Sequence, residues 1–234
     1  MSRVVILQSN YMPWRGYFDL INDCDLFIFY DCVQYTRQDW RNRNLIKTAQ
    51  GLKWLSVPVG TSVDRLLRDV AISDDAWRAA HLKTIEHAHS KCAAYSDYID
   101  FFRDIYSQPW RNLSELNRSV ITRIANDLLG CTTTFMRSAD LGVEGTRTDA
   151  LVNLLKKVGA SSYISGPAAK SYLEVEKLNA AGIEVQWKDY SGYPDYPQRH
   201  GPFEPQVSII DLLLNTGADA AQYIWGWRSQ APSS

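Results

Sequence analysis

The sequence predicts an α/β fold: a mostly parallel sheet flanked by helices, with a helical insertion. Three observations predict it. Short apolar runs at residues 4–7, 26–30, 133–136, 163–165 and 183–187 alternate with segments of helical length. The first strand, its loop, a helix and the second strand fit within about thirty residues, the span of a βαβ unit with its right-handed crossover. Residues 75–129, by contrast, carry helical signals only and read as an insertion or subdomain within one domain spanning 1–234.

The elements follow in order. The β-branched run at 4–7 ends in polar residues, as a buried parallel strand does. Residues 10–15 form a loop, and 16–22 a helix carrying Tyr17, Phe18, Leu20 and Ile21. The strand at 26–30 opens onto a polar loop at 31–44, DCVQYTRQDWRNRN. A strand at 53–59 closes with Pro58, and 70–72 is a short one. Asp74 or Asp75 caps a helix over 77–92, and further helices run over 98–106 and 114–129. The last of these opens on Ser114-x-x-Asn117 and stops at Gly130. After the strand at 133–136, Thr148-Asp149 opens a helix over 150–158 that ends at Gly159. The strand at 163–165 leads through Gly166-Pro167 into a helix over 168–181, which Gly182 terminates. Alternation marks 183–187 as the final strand, 190–205 is a stiff Pro- and Tyr-rich excursion, and 209–214 is a closing helix.

Composition excludes several classes of function. With 45% hydrophobic and 22% charged residues the chain is globular rather than disordered or fibrous. Twenty-five Lys and Arg against 26 Asp and Glu leave a net charge of -1, so there is no broad basic field for nucleic acid. No apolar run approaches the ~20 residues of a membrane span, and the apolar start at 4–8 is too short for a signal sequence. Cys24, Cys32, Cys92 and Cys131 form no C-x-x-C pair, which argues against a disulfide framework or zinc ribbon and for a cytoplasmic location. Eight Trp and 13 Tyr are an excess that suits either a binding cleft or a core edge.

In open α/β sheets ligands collect beyond the carboxyl ends of the strands, which selects three loops. The first, 8–16, carries Gln8, Asn10, Trp14, Arg15 and Gly16, with Tyr17 following, at a helix start whose free N–H groups attract phosphate. The second, 31–44, sets Arg37, Arg41 and Arg43 among Gln34, Tyr35, Trp40, Asn42 and Asn44, and Arg forks grip phosphates or carboxylates. The third places Ser165, Gly166 and Lys170 at a helix start, without the spacing of a Walker loop. Each loop also has a packing reading, as a strand-to-helix turn or a solvated loop with ion pairs to Asp31 and Asp39. Asp31 is the acidic candidate at this corner and His81 a lone candidate base, or an ordinary structural histidine. His81, His87 and His89 are spaced six and two apart and do not converge on zinc, and Cys32 has no identifiable base. Magnesium needs only one or two carboxylates, but no dedicated metal cage is visible.

The runs VVILQSNYMPWRGYFDLI, YDCVQYTRQDWRNRN, YISGPAAKSYL and FEPQVSIIDLLLNTG closely resemble the WbqC-like family of bacterial proteins over about residues 3–217. Members occur with genes for O-antigen and other surface polysaccharides, so the resemblance implies a role in making or decorating a nucleotide-linked sugar. Ser9 stands where a Pro commonly follows the Gln, and Cys32 where a second Asp is expected, which removes a carboxylate pair at Asp31. A weaker likeness of plan connects the chain to nucleotidyltransferase folds with H-x-G-H after the first strand: Trp14-Arg15-Gly16-Tyr17 keeps the glycine and replaces both histidines.

Three readings of function result. In the first, a transferase moves an acyl or aminoacyl group from a thioester donor, borne for instance on an acyl- or aminoacyl-carrier protein, to a nucleotide-linked amino sugar. Arg41, Arg43 and the Arg15-Gly16 helix start would hold phosphates, Trp14, Tyr17 and Trp40 would stack on base or sugar, and Asp31 or His81 would accept the proton. The second is a non-catalytic protein that binds a nucleotide sugar or a pathway partner, and the third is a nucleotidyltransferase.

Overall fold

Short runs that are apolar on both faces must be covered on both sides, and the chain achieves this by winding helices about a parallel sheet. The computed structural model describes residues 2–142 and 144–230. Strand β1 (Arg3–Leu7), helix α1 (Arg15–Asp23) and β2 (Leu26–Phe29) make the first unit. A hairpin of β3 (Arg43–Thr48) and β4 (Gly51–Ser56) follows, then α2 (Ala76–His89), α3 (Tyr95–Ser107) and α4 (Leu113–Arg123). The rest of the fold is β5 (Thr134–Arg137), α5 (Arg147–Lys157), β6 (Ser162–Ser165), α6 (Val175–Ala180), β7 (Glu184–Trp187) and α7 (Ile209–Thr216).

The sheet has the order β5-β2-β1-β6-β7, and all of its pairings are parallel, with Val4 opposite both Leu26 and Tyr163. The chain therefore grows outward from β1 through β2 to β5, then crosses back to β6 and β7. In such a doubly wound sheet the reversal between β1 and β6 leaves a crevice beyond their carboxyl ends. Alternation along the strands sorts two cores. Val5, Phe27 and Phe29 pack with α1, α4 and α7, while Val4, Ile6, Leu26 and Ile28 pack with Leu154, Leu155 and Leu178 of α5 and α6. Helices α2, α3 and α4 share the first core, through residues such as Ile85, Phe102 and Leu116. Among the described residues no helix is long and apolar enough to cross a membrane.

Three expectations are corrected. Residues 43–48, the first two expected in the loop 31–44 and the others in no element, pair antiparallel with 51–56, so the strand expected at 53–59 runs over 51–56 in a separate hairpin outside the main sheet. Their alternation is masked by Arg43, Asn44 and Lys47, of which Asn44 and Lys47 are buried by long-range hydrogen bonds. The helix expected over 168–181 is broken into a 3₁₀ turn, Pro167–Ser171, and α6. The Thr148 hydroxyl accepts the Glu174 N–H (3.3 Å), which a continuous helix would have given to the Lys170 carbonyl. Finally, Asn112 rather than Ser114 caps α4, accepting from the Glu115 N–H (3.0 Å), and a π-helical turn, Ile124–Leu128, extends that helix before Gly130.

The excursion 190–205 has no regular structure and is strapped to the body by buried charges. Asp19, fully buried on α1, meets Lys188 (2.9 Å), the Arg228 guanidinium and the Tyr193 hydroxyl. Asp211, buried on α7, accepts from Tyr196 (2.7 Å) and Gln198 (2.7 Å) and meets His89 (3.2 Å). Removing one member of such a cluster leaves its partners charged and dry. Asp19→Ala is expected to lower the unfolding free energy by about 3–5 kcal/mol, measured by denaturant titration.

Candidate functional site

The loop 8–14, between β1 and α1, is gripped at nearly every residue. The Arg41 guanidinium donates to Asn10 Oδ1 (2.6 Å) and Gln8 Oε1 (3.2 Å), and the Tyr17 hydroxyl donates to the Gln8 carbonyl (3.0 Å). Asp31, buried at the end of β2, accepts from the Ser9 N–H (2.8 Å), the Ser9 hydroxyl (2.8 Å) and the Ser114 hydroxyl. The Tyr11 hydroxyl bonds His81 Nδ1 (2.9 Å) and the Tyr106 hydroxyl (2.6 Å). Met12 is fully buried with φ +43°, a left-handed conformation that costs energy for a side chain of this size. Asn44 Nδ2 holds it there by donating to the Tyr11 (3.2 Å) and Met12 (2.8 Å) carbonyls.

This loop opens into two clefts. The larger, about 740 Å³, occupies the crevice between β1 and β6, and Gln8, Tyr30, Arg147, Thr148, Ser165 and Gly166 contribute to its wall. Tyr172 and Glu174, freed by the break before α6, complete it. Arg147 stands at the first position of α5 with φ +51°, exposed and without an ion pair or hydrogen bond among the described residues. Its guanidinium and the helix start give the cleft its positive end. The smaller, about 300 Å³, is walled by Asn10, Trp14, Trp40 and Asn44 with Pro13 and Gln206. A third, about 880 Å³, lies beyond β2 and β5, where half-buried Arg118 has no hydrogen bond or ion pair among the described residues. Burial there pulls the Arg118 pKa down.

The structure brings together Gln8, Ser165 and Gly166 in the first cleft and Asn10, Trp14, Trp40 and Asn44 in the second, with Arg41 between them. Other expected residues lie elsewhere. Arg15 turns to the strap, donating to the Pro194 (2.8 Å) and Tyr223 (3.2 Å) carbonyls beneath the Tyr193 ring. Desolvation lowers its pKa. The helix start expected to hold phosphate is closed by the Trp14 indole, which lies so near Gly16 that a Cβ there would stand 2.3 Å from it. Arg43 stacks on Trp54 (4.2 Å) and donates to the Gln38 carbonyl (2.5 Å), and Asn42 donates to the Val57 carbonyl (3.0 Å). Gln34 donates to the Val63 carbonyl (3.3 Å), Tyr35 is buried under Arg65, and Lys170 lies over the Trp187 ring (5.5 Å). Tyr17 is buried against Phe27, where desolvation carries its hydroxyl pKa well above 10. His81 is enclosed by Tyr11, Trp77 and Tyr106, and burial pulls its pKa down to about 4, so it is neutral at pH 7. Among the described residues no group of three or more His, Cys, Asp and Glu side chains converges on a metal position.

Arg118, Arg147, Tyr172, Glu174 and Gln206 were not singled out by sequence. Thr148 at a predicted helix start was the one local signal for its neighbour Arg147.

The family model of the WbqC-like protein family matches residues 8–223, which include all the lining residues of the two clefts except Ile6 and Leu7. The chain belongs to the WbqC-like family. It is 44% identical over 227 residues to the uncharacterised protein Rv1507c of Mycobacterium tuberculosis (strain ATCC 25618 / H37Rv), a match covering 96% of this chain and 98% of that one. No solved structure matches it significantly.

In this WbqC-like chain the buried networks make two predictions. Asp31→Asn puts an amide donor against hydroxyl and N–H donors and is expected to cost about 2–3 kcal/mol in denaturant titration. His81 binds its proton less readily folded (about 4) than unfolded (about 6.5), so the folded state is disfavoured as pH falls. Its contribution is complete above pH 6.5, declines by up to about 3 kcal/mol toward pH 4 and then levels off. In His81→Gln the difference in stability between pH 7 and pH 4 is expected to shrink by that amount.

Proposed function

We propose that the chain is a transferase that adds an acyl or aminoacyl group to a nucleotide-linked amino sugar. The observation that carries this reading is the cleft at the sheet's reversal point, whose positive end is an unpaired Arg147 on a helix N-terminus. Phosphates are drawn to such a corner by both the guanidinium and the free N–H groups. Gln8 Nε2 is available to donate into the cleft because its Oε1 is already taken by Arg41. Tyr30 and Tyr172 offer rings against which a base can lie. The family resemblance supplies the sugar, through its link to surface polysaccharide.

In the transfer the sugar amine attacks the thioester carbonyl, the C–N bond forms as the C–S bond breaks, and the thiolate leaves. The amine's proton needs a base. Glu174, whose carboxylate pairs with exposed Lys177 (3.2 Å), is the one carboxylate among the cleft's lining residues and takes that role here, because Asp31 and His81 are both buried in holding the loop 8–14. A carrier protein bearing the thioester would approach from the open side, near exposed Tyr172.

That same engagement of Asp31 and His81 favours a second reading, a non-catalytic nucleotide-sugar binder of the same pathway. Thermal unfolding with a panel of nucleotides, nucleotide-linked sugars and acyl thioesters tests the binding step. Nucleotide-linked amino sugars are expected to raise the Tm, and Arg147→Ala to weaken that binding about tenfold. No shift with any member overturns the reading. With binding intact, amide product by mass spectrometry and a fall of about 100-fold in its rate in Glu174→Gln support the transferase. Binding without product supports the binder.

A further inference from the structure

The smaller cleft has a different chemistry from its neighbour. Its six lining residues, Asn10, Pro13, Trp14, Trp40, Asn44 and Gln206, include two indoles and three carboxamides and no charged side chain. Such a pocket offers nothing to a phosphate. It suits a ligand with a C–H face to lie on an indole and a rim of hydroxyl or amide groups to bond carboxamides. At about 300 Å³ it stands at the small end of ligand pockets, the size for one ring rather than a nucleotide.

The donors and acceptors are assigned by their surroundings. Asn10 Oδ1 is taken by Arg41 (2.6 Å), which leaves its amide nitrogen to donate. Asn44 Nδ2 is spent on the Tyr11 and Met12 carbonyls, so this residue serves as wall. The Gln206 side chain has no hydrogen bond among the described residues and offers both a donor and an acceptor. Trp14 is fixed between Gly16 and the Tyr190 and Tyr193 rings (5.2 and 6.1 Å). Trp40, 42% exposed beside Trp54 (5.6 Å), is the open indole. One guanidinium, that of Arg41, holds Gln8 of the larger cleft and Asn10 of the smaller, so the two open on either side of it.

We propose that the pocket between Trp14 and Trp40 is a neutral saccharide subsite, which seats the pyranose ring of a ligand whose charged end occupies the cleft between β1 and β6. The assignment of the charged end rests on the reading of the larger cleft given above; that of the sugar ring does not. Without a charged group in its wall the pocket recognises a ring through its C–H face and its hydroxyl or amide groups rather than through charge.

Tryptophan fluorescence and saturation-transfer NMR on the full chain test this. The probes are methyl glycosides of hexoses and N-acetylhexosamines, uridine and thymidine diphosphates, and the same diphosphates carrying those sugars. Methyl glycosides are expected to quench tryptophan emission and to receive saturation at their C–H faces. The attached sugar is expected to raise diphosphate affinity about tenfold, and in Trp40→Ala or Gln206→Ala that ratio falls to about one, with Trp40→Phe retaining part of it. A sugar-to-diphosphate ratio that survives both alanine substitutions overturns the subsite, as does the absence of any saccharide response in the wild-type chain. Diphosphates that fail to bind while methyl glycosides bind and are lost in Trp40→Ala overturn the reading of the larger cleft and leave the saccharide pocket standing.

Discussion

The structure turns on the immobilisation of one loop, residues 8–14. A loop at the carboxyl end of a first strand is normally a short turn into a helix, with its backbone N–H groups free for a ligand. Here its side chains and backbone are held by partners that include Asp31, Arg41, Asn44 and His81, drawn from the turn after β2, the following loop, β3 and α2. The left-handed Met12 persists because these partners over-determine it. With the loop fixed, the end of β2, the hairpin, α2 and α4 are fixed to the first strand and to one another.

The same constraint explains how an apparently arginine-rich corner yields clefts of unlike polarity. Arg15, Arg41 and Arg43 are each occupied by carbonyls, amides or rings of the protein itself. Their bonded guanidinium nitrogens are spent on groups of the protein itself, while Nε of Arg15 and of Arg43 has no hydrogen-bond partner among the described residues, so these side chains act as internal clamps. Among the described residues that line the three clefts, the cations without a hydrogen bond or ion pair are Arg147 at the rim of the larger cleft and Arg118 beyond β2 and β5. Polar loop composition therefore measured how firmly the loop is tied down more than what it binds.

Carboxylates follow the same economy of pairing. Asp19, Asp31 and Asp211 are buried, and each receives several hydrogen bonds from elements remote in the chain. Asp19 and Asp211 bind the proline-rich strap to α1 and α7, and Asp31 binds β2 to α4 through Ser114. These are long-range connections that specify one arrangement of the helices about the sheet.

The sequence by itself determined the alternation of short buried strands with helices, and with it the α/β class, because two-sided burial leaves a continuous apolar run that is read without knowing what covers it. It also placed the loops after β1 and β6 at strand ends, since these follow directly from the apolar runs before them. Only the tertiary structure decided that residues 43–48 form a hairpin, that the helix after β6 breaks to expose Tyr172 and Glu174, and that Asp31 and His81 face inward. The break in the helix and the inward turn of Asp31 depend on hydrogen bonds between residues far apart in the chain, Thr148 to Glu174 and Ser114 to Asp31, and local propensity carries no record of such a partner. Which arginine is clamped and which is free is likewise a property of the assembled sheet, where the order β5-β2-β1-β6-β7 brings the loops after β1 and β6 to one crevice.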